Sequence, residues 1–520
     1  MRRAVGYTTG MDLPELIALL SRPEAYPHPV DRVEVRQTHI SVVFLAGDFA
    51  YKVKKPVDLG FLDFTTLTKR RHFCDEETRL NRRLAPGVYR GVVPVTRDGI
   101  EGAGEAVEWA VKMARLPDEA SLRWHVRHGG VSPRQVEALV VRIAEFHRTA
   151  EANDRIAAFG RFDVVAGNAR ENFAQSRGQV GTTVSRAVFD RLEALTEAEL
   201  TCLRPVIESR ATRGVPRDTH GDLRLEHVYL LPDGLAIIDC VEFSERFRFA
   251  DPVADAAFLV MDLLAEGRPD LARTFAEAYF TASGDGEGRQ LLPFYVAYRA
   301  AVRGKVQGMK AAEPEVPAAD RTTARRRSAA FWLLALGQLE EPARRPCLVL
   351  IGGLPGTGKS TLARGLAGVG GFEVIRSDVM RKELAAQVSD EARYSSEWTE
   401  RTYAECLRRT EALVFEGKRV IVDATFREDW RRDQFLAAAK GLGVPGLLLV
   451  CNVPPEVVQG RLAARTGDVS DADWTVYREL AVEWEALGDA ARRSAHVIDT
   501  ADGPAARAAA EGMLRAAGVL

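Results

Sequence analysis

No Cys-x-x-Cys pair occurs among the six cysteines, Cys74, Cys202, Cys240, Cys347, Cys406 and Cys451. That absence excludes a zinc site or dithiol redox centre built on this spacing. Several of them fall inside apolar runs, where a free thiol packs as a small hydrophobe, and a reducing, cytoplasmic setting is expected. Uninterrupted apolar stretches of membrane-spanning length are missing too. Arg2-Arg3 is followed by no apolar core before Asp12, so neither a membrane anchor nor a signal peptide is expected. Charge of one sign is not in excess: 71 Lys and Arg against 73 Asp and Glu leave a net charge of −2. No global field therefore draws in nucleic acid or an anionic membrane, and basic strings such as Arg325-Arg326-Arg327 read as solvated helix faces. Internal repeats and long low-complexity tracts are absent as well. What remains is a chain of 520 residues, 46% hydrophobic and 28% charged. That is the balance of an ordinary globular protein, in a chain too long for one hydrophobic core.

From Val33 to Lys54 the text reads as short strands, with Val42-Val43-Phe44-Leu45 and Phe49-Ala50-Tyr51-Lys52-Val53 flanking an Ala46-Gly47-Asp48 turn. A charged helical stretch from about Leu67 to Leu84 is closed by Pro86-Gly87, and Glu108 to Met113 gives a further strand. The pattern is then helical to Arg217. Val228–Leu231 and Leu235–Ile238 bracket Pro232-Asp233-Gly234 as a second hairpin, and helical periodicity resumes from Val253 to about Gln338. Residues 1–340 thus read as a small β-rich lobe followed by a larger helical one. A polar stretch bracketed by prolines makes 341–346 a linker. Over 347–520, the apolar strands Cys347–Ile351, Glu373–Ile375, Val420–Val422, Leu447–Cys451 and His496–Ile498 alternate with amphipathic helices. Strands buried on both faces and separated by helices predict a parallel α/β sheet.

The first of those strands runs into Gly353-Leu354-Pro355-Gly356-Thr357-Gly358-Lys359-Ser360-Thr361, which fills every position of the phosphate-loop pattern. Glycines let the backbone fold round phosphate oxygens, and a helix N-terminus adds donors and positive dipole. Lys359 is assigned to the β- and γ-phosphates of ATP or another nucleoside triphosphate, and Ser360 to Mg2+. Asp378, just past the second strand, is the candidate base for an acceptor hydroxyl, with helix capping as its other role. Arg381 lies one helical turn on, placed to hold an anionic group of the acceptor. Asp423 closes the third strand near the metal. Arg461 and Arg465, four apart on one helix face, are candidates to close over the nucleotide and neutralise transferred charge.

Upstream, His220-Gly221-Asp222 precedes the Val228–Ile238 hairpin, and Asp239 follows it. A carboxylate on a tight loop and another past the next hairpin suit phosphoryl transfer, with Asp222 taking the acceptor proton and Asp239 binding Mg2+. Lys52 is the candidate for the α- and β-phosphates and Glu77 for its partner. Lys54 on the same strand face and Glu76 beside Glu77 compete for those assignments.

The C-terminal set, from the phosphate loop through Ser377-Asp378-Val379-Met380-Arg381 to Val422-Asp423-Ala424-Thr425 and Arg461 and Arg465, resembles the P-loop kinases grouped with zeta toxins, polynucleotide 5′-kinases and gluconate kinases. The Asp378-to-Arg381 spacing is most similar to that of polynucleotide kinases. The His220-Gly221-Asp222-Leu223 motif and the order of lobes resemble the aminoglycoside phosphotransferases and their kinase-like relatives. These resemblances imply an α+β bilobal kinase-like domain followed by an α/β P-loop domain with a parallel sheet. They add Met113, at the end of its strand, to the nucleotide contacts, and His227 to the N-terminal metal ligands. His227 stands where that family has asparagine, and because Mg2+ prefers oxygen while imidazole suits softer metals, Mn2+ joins Mg2+ as a candidate ion there. The implied protein is a two-domain phosphotransferase acting on hydroxyl acceptors: a small molecule such as a sugar or aminoglycoside-like compound, or a 5′-hydroxyl nucleic acid at the C-terminal domain. A regulatory pseudokinase at the N-terminus and an ATP-switched binding protein are the alternatives.

Overall fold

The computed structural model describes residues 11–60, 62–385, 387, 389, 394–464 and 472–520. The chain divides into two compact units, Met1–Val165 with Arg204–Leu292, and Ala166–Leu203 with Pro293–Leu520.

The first unit opens with a six-stranded sheet of β1 (Val33–Gln37), β2 (Ser41–Ala46), β3 (Phe49–Lys54), β4 (Tyr89–Thr96), β5 (Gly99–Ile100) and β6 (Glu108–Ala114), in the order β1-β2-β3-β6-β4-β5. All its pairings are antiparallel. The period of two along β3 sends Tyr51 and Val53 into a core with Val42, Phe44 and Val93. It leaves Ala50, Lys52 and Lys54 on the opposite face, where Ala50 packs with Cys74 of the Leu67–Asn81 helix. That helix is capped by Thr66, whose side chain accepts from the Lys69 amide. Its buried face carries Arg70, Cys74, Glu77, Thr78 and Asn81, a helical spacing filled mostly with polar groups. Each such group needs a partner to be tolerated there: Arg70 Nε donates to Glu108 Oε2 at 2.8 Å, and Asn81 Oδ1 accepts from the Cys240 amide at 2.9 Å.

Beyond this lobe the unit is helical, interrupted by β7 (Arg217–Asp218) paired with β10 (Phe249–Ala250), and by the antiparallel hairpin of β8 (Val228–Leu231) and β9 (Gly234–Ile237). The Pro252–Ala265 helix is buried along almost its whole length, and that length includes Asp255 and Asp262.

In the second unit β11 (Cys347–Gly352), β12 (Glu373–Arg376), β13 (Arg419–Asp423), β14 (Gly446–Asn452) and β15 (Ala495–Asp499) form a wholly parallel sheet in the order β12-β13-β11-β14-β15. All five strands expected from the sequence are present, and β11 is buried throughout. Strand order reverses at β11, so the crevice beyond its carboxyl end is where ligands bind in such sheets. The 341–346 segment holds one 3-10 turn, Pro342–Arg344. It is pinned within the unit by Arg191, which bonds Glu340 and, at 2.9 Å, the Arg344 carbonyl.

Candidate active sites

In the first unit, the strand face and the helix face meet in a chain of alternating charge. Lys52 Nζ stands 2.8 Å from Glu77 Oε1 and 2.5 Å from Asp239 Oδ1. Lys54 Nζ stands 2.8 Å from Glu77 Oε2 and also bonds Glu242. The ends of the chain differ in access: Asp239 is 43% exposed, whereas Glu242 is 4% exposed. Glu76, the other sequence candidate, pairs instead with Arg79 on its own helix. Burial works against the charge on Lys52, but Asp239 and Glu77 outweigh it and hold the ammonium well above its ordinary range. Partial burial likewise opposes the Asp239 carboxylate, and the Lys52 ammonium beside it holds it well below the usual carboxylate range. Glu242, with one lysine and a neighbouring glutamate, is pushed up by burial.

The loop carrying Asp222 is fixed from beneath. Asp255, on the buried Pro252–Ala265 helix, accepts from the His220 amide at 3.0 Å, the Gly221 amide at 2.9 Å and His147 Nε2 at 3.1 Å. His147, in turn, meets Tyr279 Oη at 2.8 Å through Nδ1, so this packed helix residue braces the loop. His220 Nε2 lies 2.9 Å from the Ile238 carbonyl and its Nδ1 accepts from the Asp222 amide at 3.3 Å. A carbonyl only accepts, so Nε2 carries the proton, and burial holds this imidazole below its ordinary pKa. Asp239 adopts a positive φ of 65°, a strained conformation for a residue with a side chain, and its amide donates to Tyr89 Oη at 3.2 Å.

His227 completes the cluster. Its Nδ1 lies 2.8 Å from the Asp222 carbonyl, so Nδ1 is the protonated nitrogen of the neutral ring and Nε2 bears the lone pair. Nε2 stands 3.5 Å from Asp239 Oδ2. An imidazole nitrogen and a carboxylate oxygen thus face one another across a gap, with the ring orientation fixed by a backbone bond as metal-ligating histidines require. The pair offers a divalent ion one nitrogen and one carboxylate oxygen, with nitrogen where Mg2+ favours oxygen, and among the described residues no group of three or more His, Cys, Asp or Glu is gathered to hold one. Met113 is buried against Leu45, Ala50 and Val88, in register with Ala50 of β3.

In the second unit, the phosphate loop joins β11 to the Lys359–Gly370 helix. Gly353 and Gly356 have φ of 142° and 77°, and a Cβ on Gly353 would lie 2.7 Å from the Cys451 carbonyl oxygen. Both conformation and space therefore demand glycine there. Lys359 Nζ donates to the Leu354 carbonyl at 2.9 Å, folded over the loop. Thr357 Oγ1 donates to the same oxygen at 2.8 Å. Ser360 Oγ donates to Asp423 Oδ2 at 2.5 Å, a hydroxyl and carboxylate pair at the helix N-terminus that fits a hard, oxygen-seeking cation. Asp378 lies in the first turn of the Ser377–Leu384 helix, whose N-cap position is Arg376 without a side-chain cap bond, so Asp378 is not that helix's cap. Arg381 donates to Thr399 Oγ1 at 3.1 Å and stacks over Tyr394. Arg461 donates to the Thr500 carbonyl at 2.6 Å, and Thr500 Oγ1 donates to the Thr357 carbonyl at 2.5 Å, tying Arg461 to the phosphate loop. Pro355, Thr361, Asp378, Arg381, Asp423 and Arg461 line one cavity of about 1280 Å³. Arg465 lies outside the described residues.

Several residues at these sites escaped the sequence reading. Asp255 carried a usable signal, a lone acid in the apolar run Val253–Phe258. Glu242 and Arg376 carried none, since each is one charged residue near a strand end.

Two family models match the chain: "Phosphotransferase enzyme family" over 66–292 and "AAA domain" over 348–481. "Uncharacterized protein Rv2004c" of Mycobacterium tuberculosis (strain ATCC 25618 / H37Rv) is 34% identical over 500 residues, covering 92% of this chain and 95% of its own. "Uncharacterized protein Mb2027c" of Mycobacterium bovis (strain ATCC BAA-935 / AF2122/97) matches with the same identity and coverage. Among solved structures, the GDP complex of wild-type aminoglycoside 2′-phosphotransferase-IIIa is similar at 15% identity, covering 59% of this chain and 94% of that one, with a TM-score of 0.39. A gluconokinase from Sinorhizobium meliloti 1021 is similar at 20% identity, covering 34% of this chain and 95% of that one, with a TM-score of 0.25. The chain is thus a kinase-like phosphotransferase domain followed by a P-loop kinase domain with a parallel sheet.

Proposed function

We propose, from the premise that the chain belongs to the family of the mycobacterial protein Rv2004c, that both of its domains are ATP-dependent phosphotransferases acting on hydroxyl acceptors. One observation carries the reading: each unit holds its own cation-and-carboxylate set. Lys52 lies between Glu77 and Asp239 in the first, and in the second Lys359 directly precedes Ser360, whose hydroxyl donates to Asp423. In each reaction the acceptor oxygen attacks the γ-phosphorus, the bond to the β,γ-bridging oxygen breaks and a nucleoside diphosphate leaves. The hydroxyl proton passes to Asp222 or to Asp378. Lys52 and Lys359 hold the triphosphate, and Arg381, Arg461 and Arg465 serve the transferred phosphoryl and acceptor at the C-terminal site. Mg2+ neutralises triphosphate charge when bound; Ser360 and Asp423 would hold it in one domain, and Asp239 with His227, which also accommodate Mn2+, in the other. A small molecule is the proposed acceptor at the N-terminal domain, and a small molecule or a nucleic-acid 5′-hydroxyl at the C-terminal one. The reading includes a cytoplasmic location. Among the described residues no helix is long and apolar enough to cross a membrane.

A second reading is favoured by the imidazole at the metal position: an N-terminal domain that binds nucleotide and regulates its neighbour. Nucleotide stoichiometry and labelled transfer from [γ-³²P]ATP to sugars, nucleosides, aminoglycosides and 5′-hydroxyl oligonucleotides separate the two. Two nucleotide sites are expected, one lost in Lys359→Ala and the other in Asp239→Ala, with one transfer activity surviving each change. A single site, or transfer unaffected by Lys359→Ala, would sink the bifunctional reading.

A further inference from the structure

Arg376 sits at the cation-holding corner of the phosphate-loop site, and the transfer chemistry above makes no use of it. β12 and β13 run parallel with Arg376 directly opposite Asp423 in register. Partners in register share a face of the sheet, so both side chains emerge together at the carboxyl edge. Arg376 Nη2 donates to Ser360 Oγ at 3.2 Å, and its Nε stands 3.4 Å from Asp423 Oδ2. Ser360 Oγ donates to that same carboxylate oxygen. A guanidinium therefore closes a triangle whose other corners are the hydroxyl and the carboxylate suited to a divalent ion. Asp423 is 5% exposed and Arg376 22%. The carboxylate is thus poorly solvated, where an uncompensated charge is costly, while the arginine still reaches solvent.

We propose that Arg376 is a resident counter-cation of the phosphate-loop site: it neutralises Asp423 before nucleotide arrives, keeps bare divalent metal out, and turns its charge to the triphosphate when metal and nucleotide enter together. The inference rests on the reading of this domain as an ATP-dependent kinase. A guanidinium beside Asp423 repels a dication aimed at the same oxygen, and in a partly desolvated corner that repulsion is weakly screened. The triphosphate reverses the balance, because its anionic oxygens attract the metal and the arginine alike. With nucleotide in place, the planar fork of Arg376 can make two parallel bonds to phosphate oxygens, a geometry that the point charge of a lysine does not supply. Arg376 then ranks with Lys359 as a phosphate-binding residue, and metal binds this domain only as the nucleotide complex.

The test uses the full chain. Binding of Mn2+ alone, read by electron paramagnetic resonance without nucleotide, should tighten by about tenfold or more in Arg376→Gln, and the gain should vanish in Arg376→Gln combined with Asp423→Asn. In an Asp239→Ala background, which silences the N-terminal site, MgATP affinity should fall by about tenfold in Arg376→Gln. Arg376→Lys should still exclude Mn2+ while binding MgATP less tightly than wild type. If Arg376→Gln melts like wild type yet takes up Mn2+ no better, or if the gain survives Asp423→Asn, the proposal is wrong. Should Arg376→Gln not fold, Arg376→Lys decides: wild-type MgATP affinity in that variant overturns the phosphate role. Failure of the parent reading looks different, as the Asp239→Ala protein would then transfer no phosphate from ATP to any acceptor, whatever its affinity for Mn2+ or MgATP.

Discussion

Glu77 is shared by two lysines: its Oε1 lies 2.8 Å from Lys52 Nζ and its Oε2 2.8 Å from Lys54 Nζ. On a strand, residues two apart share a face, so either lysine satisfies a search for one that pairs with the neighbouring helix. The structure gives each its own second partner, the partly exposed Asp239 for Lys52 and the buried Glu242 for Lys54. The two should therefore fail differently. Lys54→Met leaves Glu242 buried and unpaired and should cost roughly 3–5 kcal/mol of stability. Lys52→Ala, beside solvent-open Asp239, should lower the midpoint of urea unfolding less while abolishing nucleotide binding at the N-terminal site. Equal destabilisation by the two changes, with nucleotide binding retained in Lys52→Ala, would contradict this division.

The loop bearing Asp222 should depend on the charge of Asp255. Burial opposes that charge, but the hydrogen bond from His147, with the His220 amide adding to it, holds the Asp255 carboxyl below its ordinary range. A depressed folded-state pKa means the carboxylate's stabilising contribution is present above the unfolded value of about 3.9 and is lost as pH falls below it. Asp255→Asn should flatten that acid limb in urea unfolding measured from pH 6 to 3. It should also lower N-domain turnover at neutral pH while leaving C-domain transfer alone. An unchanged acid limb in the variant would show that Asp255 contributes nothing through ionisation.

The phosphate loop was legible in the sequence because its parts are consecutive: strand, glycines, lysine and hydroxyl form one object along the chain. The five parallel strands were legible for a related reason, since strands buried on both faces read as unbroken apolar runs. What escaped is held together across long separations. Lys54 and Glu242 are 188 residues apart, and the Asp255 contact to the His220 amide spans 35. Arg376 looks like any charged residue at a strand end until β12 pairs with β13 and sets it opposite Asp423. The choice between Lys52 and Lys54 was undecidable locally for the same reason, since only the distant partners distinguish them.

Asp378 should prove separable from stability. It occupies the first turn of the Ser377–Leu384 helix without capping it, and it lines the cavity beside Lys359 and Arg381. Asp378→Asn should keep ATP affinity and the melting temperature near wild type while lowering C-domain transfer by roughly 10²–10⁴, the range for a lost general base. N-domain transfer should be untouched. Loss of ATP binding in this variant, measured by calorimetry, would instead place Asp378 at the metal or the nucleotide.

His227 offers the sharpest division between the two readings of the N-terminal domain. Its Nδ1 proton is committed to the Asp222 carbonyl, so Nε2 presents a lone pair towards Asp239. A nitrogen and oxygen donor set favours Mn2+ over Mg2+ relative to an all-oxygen set. In a Lys359→Ala background, which silences the C-terminal site, N-domain transfer should be faster with Mn2+ than with Mg2+. His227→Asn replaces the nitrogen donor with an amide oxygen, so the ratio should swing towards Mg2+, and Mn2+ affinity measured with a non-hydrolysable nucleotide should fall. A loss of transfer with both metals, at unchanged Mn2+ affinity, would mean that His227 meets the acceptor rather than the metal. If the Lys359→Ala protein transfers phosphate to no acceptor yet still binds one nucleotide, the imidazole marks a domain kept for regulation, and the bifunctional reading falls.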